Sequence, residues 1–212
     1  MAVSYCFFDL DGTLVDSSAG IINSINYALD KMALPPFRAE EVTYFIGPPL
    51  ATAFSSRRGL SPEDTQRAVN YYREHYRTDG IFACSVYDGI RELLQRLTKS
   101  GITCVLATCK PHEYANRILE HHELASYFSF VSGPELDGTR NEKHEVIAYA
   151  LQKLQIKDSS QVVMIGDRAN DILGARANKI DTIGVLWGFG SQEELMNAGA
   201  KSIVSSPDEI LF

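Results

Sequence analysis

Asp9 and Asp11 stand two positions apart in the stretch YCFFDLDGTLVDSS, directly after an apolar run and directly before Gly12-Thr13. A carboxylate that ends a strand is a competent nucleophile or metal ligand. If the strand continued, Asp11 would point the same way as Asp9. Gly12 lets the chain turn instead, so Asp11 can be aimed at the same bound group from another side. Read alone, the stretch is equally a strand followed by an ordinary Asp-Gly turn.

Three further positions share this character. Thr108 ends the apolar run of VLATCK, where its hydroxyl and the following backbone N–H can donate to an anion. Lys143 opens the helical pattern KHEVIAYAL, at the end of a helix that disfavours a cation unless it leans toward a carboxylate or phosphate. Asp167 ends the run in VVMIGDRANDILGA, and Asp171 follows in what reads as the first turn of a helix. Each has a bland reading singly: a cap, a solvated lysine, a first-turn acid. Together, three strand ends deliver acidic or hydroxyl groups to one edge. Carboxylates crowded there repel one another by several kcal/mol unless a cation sits among them. A hard, oxygen-ligated ion such as Mg²⁺, shared with a substrate phosphate, answers that need.

The elements that must position these residues are legible as apolar runs. VSYCFF (3–8), ITCVLA (102–107), YFSFVS (127–132), QVVMIG (161–166), TIGVLW (182–187) and KSIVSS (201–206) are each apolar on both alternating faces. This is the pattern of strands covered on both sides in a parallel sheet. Helical patterns lie between them. DGIRELLQRLTKSG sets Ile90, Leu93, Leu94 and Leu97 on one face and stops at Gly101, and KHEVIAYALQKL stripes Val146, Ile147, Ala150, Leu151 and Leu154. The alternation predicts an α/β fold with a doubly wound parallel sheet.

Residues 16–82 interrupt this rhythm with consecutive helical patterns, SSAGIINSINYALDKM, RAEEVTYFI, PPLATAFSSRR and SPEDTQRAVNYYREHYRT, separated by proline breaks. Ser61 is a good N-cap with Pro62 at the first helical position. The expected organisation is a core of 1–15 and 83–212 with a small α-helical cap of 16–82 inserted after the first strand. Ligands of open α/β sheets bind at the carboxyl ends of the strands, and a cap in that place should face them.

DLDGTLVDS, Thr108, Lys143 and GDRAND resemble, in order and spacing, the four motifs of the haloacid dehalogenase superfamily. The helical insert after the first motif, with DSSAGIINSINYAL and FIGPPL, is similar to the phosphoglycolate phosphatase-like branch. The resemblance covers essentially the whole chain and implies a Rossmann-like core, a helical cap and a Mg²⁺-dependent phosphatase. It implies that Asp9 is the nucleophile forming an aspartyl-phosphate and that Asp11 is the general acid and base. The Asp11 main-chain carbonyl and the Asp9 and Asp167 carboxylates would hold Mg²⁺, with Asp171 steadying the metal's waters. Thr108 and Lys143 would bind the transferred phosphoryl oxygens, beside the Gly12 turn and the Cys109 N–H. Small phosphate monoesters of the phosphoglycolate type are the first expected substrates.

Other readings stay open at this level. A nucleoside-monophosphate phosphatase would want an aromatic shelf, for which Tyr44, Phe45 and Phe54 are candidates, and a phosphomutase would use the same phospho-aspartate. A phospho-accepting receiver domain also combines an acceptor Asp with Thr and Lys, but needs neither Asp11 nor a helical lid. Arg57 and Arg58 are candidates for a substrate carboxylate, and Arg168 for a salt bridge or the site. His121-His122-Glu123 reads as a solvated helix end, and GFGSQEE at 188–194 as a strand-exit turn. Cys109 beside Thr108 reads as a small residue that presents its N–H, with oxidant sensitivity as the alternative.

The composition is that of a globular domain: 212 residues, 45% hydrophobic and 22% charged. A net charge of −7 argues against a nucleic-acid or acidic-membrane surface, so an anionic substrate must be held by a metal or a few placed cations. The four cysteines show no paired spacing, and no signal-peptide pattern or membrane-length apolar run occurs. A cytoplasmic protein, monomeric or homodimeric, is expected.

Overall fold

A computed structural model of the chain describes residues 3–37, 45, 46 and 50–212, except for the side chain of Arg57. The chain divides into two compact units, one up to Val15 and from Val86 to Phe212, the other Asp16–Ser85. The second unit reaches Ser85, beyond the 82 expected from the sequence, because Gly20 N–H donates to the Ala83 carbonyl at 3.0 Å.

The strands are β1 (Tyr5–Phe8), β2 (Val15–Asp16), β3 (Ser85–Val86), β4 (Thr103–Ala107), β5 (Phe128–Ser132), β6 (Val162–Gly166), β7 (Asp181–Val185) and β8 (Ser202–Val204). The helices are α1 (Ser18–Lys31), α2 (Leu50–Arg58), α3 (Pro62–Tyr76), α4 (Ile90–Lys99), α5 (His112–His121), α6 (Lys143–Lys153), α7 (Ala169–Ala177) and α8 (Gln192–Ala198).

In the first unit six parallel strands form a sheet in the order β5-β4-β1-β6-β7-β8. The chain builds outward from β1 to β4 and β5, then returns to its other side for β6, β7 and β8. β1 therefore lies at the switch of winding direction, the place where open α/β sheets bind ligands. Phe7, Val105, Val162 and Met164 on one face are buried against Val146, Ile147 and Ala150 of α6 and Ala175 of α7. The alternate residues Cys6, Phe8, Leu106 and Ile165 are buried as well, so both faces are covered. Each such side chain contributes about 1.5–3 kcal/mol through its removal from water.

In the second unit α1 packs on α3. Ile21, Ile25, Ala28 and Leu29 of α1 and Ala68, Val69 and Tyr76 of α3 are buried. Ser24 Oγ lies 2.9 Å from His75 Nδ1, and Tyr27 Oη donates to Glu74 Oε1 at 2.6 Å. Ser61 caps α3 by accepting from Asp64 N–H, and Pro62 takes the first helical position. Phe45 packs edge to face between Phe37 and Phe54, with ring centroids 4.6 and 5.1 Å away. Phe45 and Phe54 are thus core of this unit rather than the open shelf that a nucleobase would need. Tyr44 and the helix expected over RAEEVTYFI lie outside the described residues, apart from Phe45 and Ile46.

Candidate active site

The register of the sheet aligns the ends of its three central strands. Phe8 pairs with Leu106 on one side and Ile165 on the other, so Asp9, Thr108 and Asp167 leave β1, β4 and β6 at one edge. Asp9 N–H donates to the Ile165 carbonyl at 3.0 Å, and Thr108 N–H to the Ser132 carbonyl at 3.0 Å. The main chain is hydrogen-bonded up to the residue that carries the functional group. All three side chains are buried.

After Asp9 the chain folds into a tight turn, with Leu14 and Val15 N–H donating back to the Leu10 carbonyl. Gly12 sits in it at φ +86°, and a Cβ there would meet Asp167 Oδ2 at 2.2 Å. Only glycine meets both demands. Thr13 then donates from Oγ1 to Asp167 Oδ1 at 3.3 Å, while Phe189 N–H donates to Asp167 Oδ2 at 2.7 Å. Trp187 Nε1 donates to the Thr13 carbonyl at 3.0 Å. Trp187, read from the sequence as the end of a strand, and Phe189, read as part of the exit turn at 188–194, therefore brace the Asp9 turn and Asp167.

Lys143 opens α6 and is buried. Its ammonium lies 2.7 Å from Asp9 Oδ1, 2.7 Å from Asp171 Oδ1 and 3.0 Å from the Ala107 carbonyl. Its stem fits against α7 because residue 174 is glycine: a Cβ there would meet Lys143 Cγ at 2.6 Å. Burial works against its charge, but Asp171 and Asp9 outweigh burial and hold its pKa well above the ordinary value. Lys143 is therefore a fixed cation.

Asp171 lies in the first turn of α7, where Oδ2 accepts from Arg168 N–H at 3.0 Å. Apart from the ion pair with Lys143, its buried Oδ1 has no hydrogen-bond donor. Asp9, Asp167 and Asp171 each bring one carboxylate oxygen within 4.8 Å of the others. Burial first, then the neighbouring carboxylates, push Asp9 up to about 6 and Asp167 well above the usual range. An all-oxygen donor set whose carboxylates crowd within reach of one another fits a hard divalent cation.

The Asp11 carboxylate stands outside this trio. Its Oδ1 accepts from Lys110 Nζ at 2.8 Å, and the expected contact of Asp11 with a metal was through its main-chain carbonyl. Lys110 is buried, a position that its exposed-looking place after Cys109 does not betray. Thr108 Oγ1 accepts from Lys110 N–H at 3.2 Å. Cys109 is half-buried, and burial pushes its thiol up to about 12, so the neutral thiol is a poor nucleophile.

The remaining candidates fall elsewhere. Arg168 Nε pairs with Glu194 Oε1 at 2.9 Å, which also accepts from Ala169 N–H. Arg58 lies over the Phe37 ring at 4.7 Å within the second unit, and the side chain of Arg57 lies outside the described residues. His121 and His122 meet edge to face at the end of α5, outside the one carboxylate or imidazole cluster of metal-binding spacing among the described residues.

The profile of haloacid dehalogenase-like hydrolases matches residues 6–185, and the chain belongs to that family. Within it the chain falls in the phosphoglycolate phosphatase-like branch and is a hydrolase of the phosphatase type. The crystal structure of a predicted phosphatase from Clostridium acetobutylicum superposes with a TM-score of 0.94 at 44% identity, covering 99% of this chain and 96% of that one. A 5'-nucleotidase of Pseudomonas aeruginosa is 41% identical over 188 residues, 89% of this chain and 85% of that protein. The tyrosine-protein kinase PtkA of Mycobacterium tuberculosis is 38% identical over 183 residues, 86% of this chain but 62% of that protein. A phosphoglycolate phosphatase of Agrobacterium fabrum is 32% identical over 187 residues, 86% of this chain and 80% of that protein. Among the described residues no helix is long and apolar enough to cross a membrane, and none of the four cysteines forms a disulfide.

Proposed function

We propose that the protein hydrolyses small phosphate monoesters through an aspartyl-phosphate on Asp9, with Mg²⁺ as its cofactor. The observation that carries this reading is the Lys143 ammonium set between Asp9 and Asp171, beside three carboxylates that can share one cation. Asp9, Asp167 and the Asp11 carbonyl would hold the ion, with Asp171 behind them. Bound there, Mg²⁺ would neutralise the crowded carboxylates and supply positive charge beside the phosphoryl group.

An Asp9 oxygen bonds phosphorus as the ester P–O bond breaks, and Asp11 gives its proton to the departing oxygen. Asp11, now a carboxylate, takes a proton from water as the water oxygen bonds phosphorus. The Asp9–phosphorus bond then breaks, and phosphate leaves with Asp11 protonated again. Thr108 and Lys143 bind the phosphoryl oxygens and offset their charge throughout.

The 41% identity to a 5'-nucleotidase, against 32% to a phosphoglycolate phosphatase, favours nucleoside monophosphates as a second substrate class beside phosphoglycolate-type esters. The buried Phe45 and Phe54 leave any recognition of the base to other residues. A screen of phosphoglycolate, sugar phosphates and nucleoside monophosphates, with Mg²⁺ and with EDTA, tests the proposal. Mg²⁺-dependent phosphate release supports it, and release that survives EDTA and Asp9→Asn refutes it.

A further inference from the structure

Among the described residues two lysines are buried. Lys143 serves Asp9 and Asp171. Lys110 serves the remaining carboxylate of the site, and none of the catalytic roles above uses it.

Its construction is rigid. The Lys110 side chain is 6% exposed and that of its partner Asp11 15%. Its N–H is tied to Thr108 Oγ1, and its carbonyl lies against Gly133, where a Cβ would approach to 2.5 Å. Asp11 in turn has its main chain fixed by the turn and by a bridge to Val15. Burying an ammonium costs several kcal/mol unless it is paired, so the position is occupied by lysine for the sake of its partner. The four carboxylates Asp9, Asp11, Asp167 and Asp171 face two ammonium groups, leaving the charge of one divalent cation to be supplied. Without Lys110, Asp11 would be a free competitor for that cation.

We propose that Lys110 is a positioning residue: it holds one oxygen of Asp11 and so keeps the carboxyl group off the metal trio and aligned for proton transfer to the leaving group and from water. This rests on the proposed phosphatase mechanism. Proton transfer by a placed side chain is worth about 10²–10⁴-fold, and a misplacement of about 1 Å forfeits about 10²-fold.

The test compares wild type, K110M and D11N on p-nitrophenyl phosphate and on an alkyl phosphate. p-Nitrophenolate leaves without a proton, so phosphoryl transfer to Asp9 is spared while hydrolysis of the phosphoenzyme still needs Asp11. K110M should therefore release about one equivalent of p-nitrophenol in a burst, accumulate phosphorylated Asp9 and then turn over about 100-fold more slowly than wild type. On the alkyl phosphate it should show the same loss without a burst and with KM held, while KM for p-nitrophenyl phosphate should fall because hydrolysis of the phosphoenzyme has become limiting. The K110M–D11N double variant should be no slower than D11N, since Lys110 acts through Asp11. K110Q, which keeps a donor for Asp11, should show the burst with a smaller loss, and serves if K110M does not fold. In EDTA, the melting-temperature losses of K110M and D11N should be less than additive.

A raised KM with no burst would make Lys110 a phosphoryl ligand and overturn the inference. So would unchanged turnover, or a loss that adds to that of D11N. Failure of wild type to hydrolyse either ester would instead overturn the proposed phosphatase mechanism.

Discussion

Lys143 Nζ and Asp9 Oδ1 are 2.7 Å apart although 134 positions separate them in the chain. The sheet places Asp9 at the end of β1, and α6 begins where its first side chain can reach back to that end. The contact joins the candidate nucleophile to a cation that cannot move away, since Asp171 and the Ala107 carbonyl hold the same ammonium.

Lys143→Met leaves Asp9, Asp167 and Asp171 facing one another without their buried counter-charge. Loss of one member of such an ion pair costs about 3–5 kcal/mol. Turnover should fall by about 10³-fold, and the metal-free protein should melt at a markedly lower temperature. Steady-state kinetics and thermal melts of the variant check both.

Asp167→Asn should have opposite effects on stability and binding. The amide can still accept from Phe189 N–H and donate to Thr13 Oγ1, but it removes one charge from the crowded trio. In EDTA the variant should melt roughly 3–6 °C above wild type, for a gain of about 1–2 kcal/mol. It should lose the stabilisation that wild type gains from Mg²⁺, which melts across a Mg²⁺ titration will show.

Burial, with the same crowding behind it, fixes the sign of a pH dependence. A carboxyl raised in the folded state from 3.8 to about 6, as Asp9 is, binds its proton more readily folded than unfolded. Its stabilising effect is full below 3.8 and is lost as pH rises through about 6, and Asp167 is shifted in the same direction. Metal-free protein should therefore melt roughly 5 °C lower at pH 7.5 than at pH 5.5. Saturating Mg²⁺ should remove most of that difference, because metal-bound carboxylates stay ionised.

Much of this arrangement is legible in the amino-acid sequence, for a physical reason. Apolar runs that end abruptly on Asp9, Thr108 and Asp167 mark strand ends, and parallel strands of similar length end at one edge. Lys110 was illegible because a lysine after Thr-Cys in a loop resembles any solvated lysine, and only its burial against Asp11 distinguishes it. Gly174 and Gly188 are as ordinary in the chain as any glycine. Their reason appears only when the Lys143 stem and the Asp167 side chain are seen against them. Phe45 and Phe54 had the composition of a stacking shelf, but their rings pack on each other with centroids 5.1 Å apart and are buried.

Gly12→Ala tests the turn that aims the carboxylates. The new Cβ would fall 2.2 Å from Asp167 Oδ2, on a backbone at φ +86° that alanine disfavours. Displacing either carboxylate by about 1 Å should cost at least about 100-fold in turnover and weaken Mg²⁺ binding measured by calorimetry. The sheet core lies behind the turn, so far-ultraviolet circular dichroism should stay that of wild type.

In the proposed reaction Asp9 is transiently phosphorylated. Rapid acid quench during turnover of a ³²P-labelled monoester, followed by borohydride reduction and peptide mass spectrometry, reads this directly. Label should appear on the peptide carrying Asp9, reduced there to homoserine, and none in Asp9→Asn. Turnover at wild-type rate by Asp9→Asn, or label found on another residue, would contradict it.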